Sequence, residues 1–417
     1  MKKYIAALLV ATLSACVVAG CQGFGEASSA ESIAPLDLKV GLSFDIDNLE
    51  SVNDLKIKLE NYSNGIHYEQ SVTATKSVTL TNIVPGIYTI AVSGTAYDKN
   101  GAEYYVNGNI VNKALYKGVD AVTVHISGLK VSPLVFKEIY YAGSKGRYFR
   151  DQFYEIYNNS GEVHYLDGLY FAQLFPTTAT RNLPVWHIDD GGKMCYAERI
   201  WKFPGKGRDY PLKPGESAVL SQFAVNHQQE IYDLLSPVDG SHSEFEFNMD
   251  NPRYPDQPAI NMVHVFYNGK SDKGTVPQFL TPVFGGAFVL FEVPAGVVWD
   301  PVSAEWQNYV EGKPHSVKAK IPNEWVLDAV ECVNGESYAD AKRVSAVLDA
   351  GITWVGSTYC GLGVARKVMV ENNDTLRRDN GALIFQDTNN STDDFERGVI
   401  PVMHRYHSGV PSWNATY

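Results

Sequence analysis

The tripeptide Glu-Ile-Tyr occurs twice within a short stretch, at residues 138–140 and again at residues 155–157. Its two carboxylates, Glu138 and Glu155, are the residues whose type and spacing most readily suggest chemistry. Two neighbouring acids can share a proton, hold a metal ion or act in acid–base catalysis. The stretch between them contains Gly-Ser-Lys-Gly-Arg, which is typical of a loop that joins two strands.

The strand pattern around these acids favours a structural role. With period two, Phe136 and Glu138 share one face of the first strand, and Glu155 lies on the matching face of the second. Like charges directly opposite each other destabilise a sheet, so something must offset them. An arginine such as Arg147 or Arg150, backbone donors from a loop, a shared proton or a metal ion would do so; structural bonding to loop amides is the preferred interpretation.

A second group of ligand-type side chains lies in the Gly-rich stretch WHIDDGGKMCY at 186–196. His187, Asp189, Asp190 and Cys195 are each competent to bind a metal ion. Acid-glycine turns also form without any metal. These residues are therefore candidates for a ligand or metal site, and a plain turn is the alternative.

Two further stretches carry such side chains. HRYH at 404–407 places two imidazoles three residues apart, but Pro401 and Pro411 favour an exposed loop over a metal-chelating helix. DNPRYPDQP at 250–258 offers three oxygen ligands suited to calcium, without the spacing of an EF-hand. A rigid surface loop is the preferred interpretation there.

Common nucleophile and phosphate-loop motifs fail in this sequence. The Gly-Ser at 356–357 lacks the G-x-S-x-G arrangement. The Gly-Lys-Ser at 269–271 lacks the first glycine of a phosphate-binding loop, where His264 stands. We predict that the chain is not an enzyme, and no cofactor is expected.

The N-terminus has two lysines, a short apolar run and small residues that end in cysteine. Leu-Ser-Ala-Cys16 and Val-Ala-Gly-Cys21 both resemble the lipobox of bacterial lipoproteins, in which the cysteine is lipidated. Cys21 is the preferred lipidation site, because cleavage there leaves a Gly/Ala/Ser/Glu tether; Cys16, or an ordinary cleaved signal peptide, is the alternative. We therefore predict a lipoprotein signal peptide at 1–20, a flexible tether at 21–35 and a lipid anchor in a bacterial envelope membrane.

Composition limits the partners. With 35 Lys and Arg against 47 Asp and Glu, the formal net charge is −12, and the basic residues are scattered. Such a chain repels a phosphate backbone, so nucleic acid is not expected as a partner. Cys195, Cys332 and Cys360 lie beyond the signal peptide without a CxxC spacing, and a Cys332–Cys360 disulfide and buried free thiols both stay open.

Apolar alternation predicts strands from Leu36 onwards, in LDLKVGLSFDI, DLKIKLENY, SVTLTNIVPGIYTIAVSGTAYD and VDAVTVHISGL. The segment LTNIVPGIYTIAVSGTAYD resembles the prealbumin-like and carboxypeptidase-regulatory-like modules of Bacteroidota surface proteins. The resemblance implies a seven-strand Ig-like sandwich at 36–131, a module that usually serves as a spacer.

The region 132–417 resembles the lamin-tail domain, an Ig-like β-sandwich. The resemblance rests on FYEIYN at 153–158, LDGLY at 166–170 and LKPGE at 212–216, although the usual Trp of the second motif is Leu-Tyr here. We therefore predict a mostly β protein of two β-sandwiches, an Ig-like or prealbumin-like one followed by a lamin-tail-like one with long insertions and a few short helices.

The insertions at 173–209, 223–283 and 294–382 are unusually long for a small sandwich, and such loops are often functional. DAKRVSAVLDAG at 340–351 predicts a helix. All seven tryptophans lie after residue 131. They either cover an enlarged core, which is the preferred interpretation, or present a binding surface.

The second half, with DNPRYPDQPAINM and KAKIPNEWVLDAVECVNG, is similar to a Bacteroidota lipoprotein family of unknown function that is often associated with TonB-dependent transporters. The resemblance implies a non-enzymatic outer-membrane lipoprotein, on the periplasmic or cell-surface side, that binds an unknown small ligand or serves such a transporter. A metal-dependent hydrolase using Glu138 and Glu155 or the loop from His187 to Cys195, and a structural or adhesive protein, are the alternatives. Asp374-Thr375-Leu376 resembles the O-glycosylation motif of Bacteroidota exported proteins, which makes Thr375 a candidate glycosylation site.

Overall fold

A computed structural model describes residues 34–61, 65–73 and 75–416. The first seven strands are β1 (Leu36–Asp45), β2 (Leu49–Asn61), β3 (Ile66–Val72), β4 (Ser77–Ile83), β5 (Gly86–Asp98), β6 (Glu103–Leu115) and β7 (Ala121–Lys130). They pair in the order β3-β2-β5-β6-β7-β1-β4, antiparallel except for β1 with β7. The apolar side of each strand faces one shared core, so the sheet folds over onto itself as the two layers of a sandwich.

The following strands form the second region: β8 (Leu134–Tyr140), β9 (Phe153–Asn158), β10 (His164–Tyr165), β11 (Tyr170–Leu174), β12 (Met194–Lys202), β13 (Pro211–Leu212), β14 (Ser217–Ser221), β15 (Phe245–Glu246), β16 (Ile260–Asn261), β17 (Val263–Tyr267), β18 (Ala287–Phe291), β19 (Gln307–Tyr309), β20 (Val317–Pro322), β21 (Val326–Val333), β22 (Thr353–Trp354), β23 (Gly363–Arg366), β24 (Val370–Glu371), β25 (Asp374–Thr375) and β26 (Phe395–Val399). Its helical turns are α1 (Ser391–Asp394) and four 3₁₀ turns, Ala304–Trp306, Asn323–Trp325, Glu336–Tyr338 and Arg405–His407. No helix in the described residues is long and apolar enough to span a membrane.

Two sheets of the second region pack face to face. One has the order β16-β15-β14-β9-β8-β23-β26, and the other β19-β20-β12-β11-β18-β21-β22 with β17 added to β12. Aromatic side chains fill the space between them; the ring of Tyr154 lies 4.7 Å from that of Phe171 and 4.8 Å from that of Phe288, centre to centre. The prediction of a mostly β protein with two sandwiches is confirmed.

Strand direction places the loops of the second sandwich at two ends. β7 leads into β8 through three residues, so the N-terminal sandwich joins at the end where Leu134 lies. β8 ends at Tyr140 beside Phe153, and the side chain of Tyr141 donates to the carbonyl of Val333 at the end of β21. The loops that follow β8, β11, β14 and β21 therefore lie at the opposite end, which we call the distal end.

The predicted helix at 340–351 is wrong. The chain is irregular there, because the backbone N–H groups of Arg343 and Val344 donate to the buried carboxylate of Glu331 instead of to carbonyls of a helical turn.

The tryptophans are divided between two roles: Trp201 and Trp325 are buried, whereas Trp186 borders a cavity in a distal insertion.

Candidate functional site

Glu138 and Glu155 lie directly opposite each other across β8 and β9, as the strand pattern predicted. The register shifts between Phe136 and Glu138, so that Lys137 forms a bulge. The bulge changes which side chains face inwards: Phe136 packs in the core, and both acids lie on the outer face. The prediction that Phe136 shares a face with Glu138 is therefore wrong.

Two groups of the C-terminal segment stabilise the charge of Glu138. Arg405 donates through Nε to Oε2 at 2.6 Å, and the backbone N–H of Val402 donates to Oε1 at 2.7 Å. The offsetting arginine is thus Arg405 and not Arg147 or Arg150 of the intervening loop, whereas the expected loop amide is present. Burial raises the pKa of Glu138 to about 7, against the lowering effect of Arg405.

Glu155 is held by a different set of groups. Nζ of Lys137 lies 2.8 Å from Oε1, because the bulge turns this lysine across to the neighbouring strand. Oγ of Ser217 donates to the same oxygen at 2.6 Å. The imidazole of His404 lies between Glu155 and Glu244, with Nδ1 3.9 Å from the former and Nε2 3.4 Å from the latter.

The HRYH stretch at 404–407 therefore contributes to this network in an unexpected way. The side chain of His404 is only 9% exposed, whereas His407 is exposed as predicted. His404, Tyr406 and His407 all adopt positive φ angles, a conformation that costs free energy in residues other than glycine. The network fastens this strained segment over the outer face of the sheet, which is a structural role.

A cavity of about 470 Å³ lies at the distal end, where β11 ends and β12 begins. Its volume falls within the range of small-molecule pockets. The lining is mainly apolar and comes from three segments: Leu174, Phe175, Pro176, Leu183, Pro184, Val185, Trp186, Ile188, Asp189, Asp190, Gly192, Met194, Cys195, Tyr196, Arg343, Val344 and Ser345.

Aromatic rings form one wall of this cavity. Trp186 stacks on Tyr196 with ring centres 3.6 Å apart, and Phe175 meets Trp186 edge-on. The insertion is fixed to the edge strand β19, where Asn308 bonds the backbone N–H and the carbonyl of Ile188. The wall is therefore formed before any ligand arrives.

The basic group of the cavity is already engaged. Arg343 donates through Nε to Glu331 at 2.8 Å and through its two terminal nitrogens to the carbonyls of Pro176 and Cys332. Burial alone would raise the pKa of Glu331, but the charges of Lys342 and Arg343 hold it below its usual value. The ion pair fixes the segment that was predicted to be helical.

The cavity brings together part of the predicted 186–196 site. Asp189 and Asp190 both line it, with Asp190 accepting from the hydroxyl of Tyr196 at 2.7 Å. His187 turns to the edge strand instead, stacking on Tyr309 and bonding Glu311 at 2.9 Å. Within the described residues no group of three or more His, Cys, Asp or Glu is arranged to hold a metal ion.

Cys195 also lines the cavity, whereas the other candidates are dispersed. Cys195, Cys332 and Cys360 are free thiols, so the conceivable Cys332–Cys360 disulfide is not formed. In the 250–258 loop, the carboxylate of Asp250 is 2.6 Å from Nζ of Lys273.

The predicted modification sites are of two kinds, glycosylation at Thr375 and lipidation at a cysteine of the N-terminus. Thr375 is exposed in β25, which fits an accessible modification site. The lipidation candidates Cys21 and Cys16 lie outside the described residues.

Sequence reasoning missed the residues that complete both sites. Arg405 lies 267 positions after Glu138, and no local pattern links them. Arg343 and Val344 lie in the segment 340–351, for which the sequence predicted a helix. An acid that is buried in a strand, such as Glu331, would have been the signal, because a buried carboxylate needs hydrogen-bond donors nearby.

Comparison with known proteins gives a family. A family model described as "Protein of unknown function (DUF4876)" matches residues 213–402. The crystal structure of a DUF4876 family protein from Bacteroides thetaiotaomicron VPI-5482 is 56% identical, with a TM-score of 0.69 over 92% of this chain and 100% of that one.

A crystal structure of a putative cell adhesion protein from Bacteroides eggerthii DSM 20697 is 8% identical, with a TM-score of 0.19 over 69% of this chain and 78% of that one. No curated protein matches the chain. Because it is 56% identical to the Bacteroides thetaiotaomicron protein over that protein's whole chain, this chain belongs to the DUF4876 family, whose function is unknown.

Proposed function

We propose that this protein is a non-enzymatic outer-membrane lipoprotein, anchored through Cys21, that binds a small ligand in its distal cavity and serves a TonB-dependent transporter. The observation that carries the proposal is the cavity itself, which lies at the end of the second sandwich away from the N-terminal sandwich. A binding site placed there is presented away from the chain segment that leads to the predicted anchor.

The rim of the cavity supports this function. Leu183, Val185 and Ile188 are 54%, 71% and 46% exposed. Large aliphatic side chains grouped at a pocket are typical of binding surfaces, since their exposure in water is otherwise unfavourable. The rim and the aromatic wall together offer an apolar surface to a ligand or to a partner that covers it.

The rest of the molecule would serve as the support for the cavity. In our proposal the N-terminal sandwich is a prealbumin-like spacer, and the second sandwich is a lamin-tail-like scaffold for the distal loops. The hydrolase alternative has less support, because Glu138 and Glu155 are fully buried and each is bonded to cationic or hydroxyl groups of the protein.

Copurification tests the transporter part of the proposal. Detergent-solubilised envelopes carrying the tagged protein are expected to yield a TonB-dependent transporter, and a Cys21→Ala variant is expected to leave the membrane fraction. A Val185→Glu variant should lose the transporter while staying in the membrane fraction. Val370→Glu, the same substitution at a valine of β24 that is 59% exposed, is the matched control.

Two results would contradict the proposal. One is equal recovery of the transporter with the wild-type protein and the Val185→Glu variant. The other is repeated absence of any transporter from both preparations. Matrix association or self-association without a small ligand would favour the structural or adhesive alternative.

A further inference from the structure

The polar groups of the distal cavity indicate which ligands it accepts, an inference that rests on the function proposed above. We infer that the cavity takes an apolar or aromatic molecule that carries a positively charged group, with Trp186 as the apolar contact and Asp189 as the counter-ion. Anionic ligands are disfavoured at the same place.

The cationic groups in and behind the cavity are already paired with acids of the protein. Arg343 is the cation among the lining residues, and its carboxylate partner Glu331 is fully buried beside it. Lys320, behind the lining, lies 3.8 Å from Asp190 and is directed to that acid. An incoming anion would have to compete with these internal carboxylates, whereas a cation meets no such competition.

The two acids of the cavity differ in how their charges are compensated. Asp190 accepts from the hydroxyl of Tyr196 and is close to Lys320, so protein groups already compensate its charge. Asp189 is exposed and accepts the backbone N–H of Gly191 at 2.9 Å, the bond of an ordinary acid-glycine turn. The turn holds the Asp189 carboxylate at the edge of the cavity, where its oxygens keep lone pairs that can accept from a ligand.

The aromatic wall of the cavity suits both parts of such a ligand. Trp186 is stacked against Tyr196, and its position is fixed by the bridge to Val310 in the edge region. A rigid indole offers a large apolar area at little entropic cost and is also the best aromatic partner for a cation. A ligand with an apolar body and an amine therefore finds a partner for each part.

Matched probes test this inference on the full chain. Calorimetric titration with 4-phenylbutylamine, 4-phenylbutan-1-ol and 5-phenylpentanoate compares one apolar body, a phenyl ring with four methylenes, with a positive, a neutral and a negative group. The amine is expected to bind about fivefold tighter than the carboxylate at low salt, in keeping with a single partly solvated ion pair.

Variants locate the effect. Asp189→Asn keeps an oxygen for the Gly191 turn and is expected to reduce the amine preference below about twofold, the size expected once the ion pair is gone. Trp186→Ala should weaken all three probes. Glu371→Gln changes the net charge equally at a distant exposed site and should leave the preference intact; this control accounts for general attraction of cations to a protein of charge −12.

The outcomes separate this inference from the function on which it rests. If none of the probes binds, the cavity is not a ligand site, and it no longer supports the proposed function. If all three bind equally, or the carboxylate binds tightest, the charge preference is overturned while a ligand-binding cavity stands. If the amine preference survives in Asp189→Asn, the assignment of Asp189 is wrong.

Discussion

Ion pairs of contrasting burial are found in the two sandwiches of this chain. In the N-terminal sandwich, Lys56 and Lys58 pair with Glu69 on the surface, with nearly half of each side chain exposed. In the second sandwich, Arg366 is buried among Asp328, Asp387 and Asp394.

The comparison teaches that the two regions are stabilised in different ways. The first has an apolar core with these ion pairs on its surface, which suits the spacer role proposed above. The second adds buried ion pairs that fasten irregular segments: Arg366 bonds the carbonyls of Phe136 and Gln386, Arg405 fastens the C-terminal segment, and Arg343 fixes a wall of the cavity. Its charges position loops, as the proposed binding role would require.

The largest expected effect is at Arg366. Replacing it in Arg366→Met leaves three buried carboxylates without their shared cation and should lower the free energy of unfolding of the second sandwich by about 3–5 kcal/mol. Urea unfolding followed by tryptophan fluorescence measures this, because all seven tryptophans lie after residue 131. A loss below about 1 kcal/mol, the size of a surface pair, would remove the distinction between the two sandwiches.

A smaller loss is expected at Arg405. Its side chain is 17% exposed, so water compensates part of the broken ion pair, and Arg405→Met should cost about 2–3 kcal/mol. Limited proteolysis should cut first within residues 400–410, the segment that this pair fastens. Arg377→Met, at an exposed arginine of the same region, is the control. Equal proteolysis of both variants would show that the pair does not hold the segment.

The pH dependence should differ between the regions. The pKa of Glu138 is about 7 in the folded chain and near 4.5 when unfolded, so the native state binds the extra proton between these values. Stability of the second sandwich should therefore fall by about 2 kcal/mol as the pH rises from 4.5 to 7. Burial also raises the pKa of Glu246 to about 7 and that of Asp151 to about 6, with the same sign.

Urea unfolding at several pH values measures how steeply the free energy of unfolding falls with rising pH. Glu138→Gln should make this dependence shallower, and a stability that rises with pH over this window would contradict the account. In the N-terminal sandwich the sign is opposite: the backbone N–H of Ala102 lowers the pKa of Asp98, so its contribution is lost only as the pH falls below the usual range of an aspartate.

The smallest effect is expected on the surface of the N-terminal sandwich. Lys58→Met breaks one of the two contacts to Glu69, and solvent screening should leave the unfolding transition unchanged within error. Far-UV circular dichroism measures it, since this region has no tryptophan. A clear shift of the midpoint would show that surface charges stabilise this sandwich as well.

Sequence patterns predicted the strands because period-two alternation is a local signal, and they predicted the juxtaposition of Glu138 and Glu155 for the same reason. Three features could not be predicted in this way. The bulge at Lys137 shifts the inward-facing side chains by one position. Arg405 comes from a segment far away in the chain. The irregular path after residue 340 depends on Glu331, whose demand for donors overrides a helical pattern.

For the candidate site, the sequence predicted Asp189, Asp190 and Cys195, which line the cavity, together with His187, which does not. His187 belongs to the edge-strand contact, and the aromatic partner of Trp186 is Tyr196, a residue type that does not suggest a metal ligand. Apolar pockets form where loops meet in space, so only the fold shows that the insertion and the segment around Arg343 enclose one cavity.

The central claim is that the distal cavity, and not the N-terminal sandwich, makes the functional contact. Site-specific photocrosslinking in intact cells tests it, with p-benzoylphenylalanine placed at Val185 in the rim or at Val111, which is 60% exposed in β6. The account predicts a crosslink to a TonB-dependent transporter from position 185 and none from position 111. A transporter crosslink from position 111 with none from position 185 would contradict it.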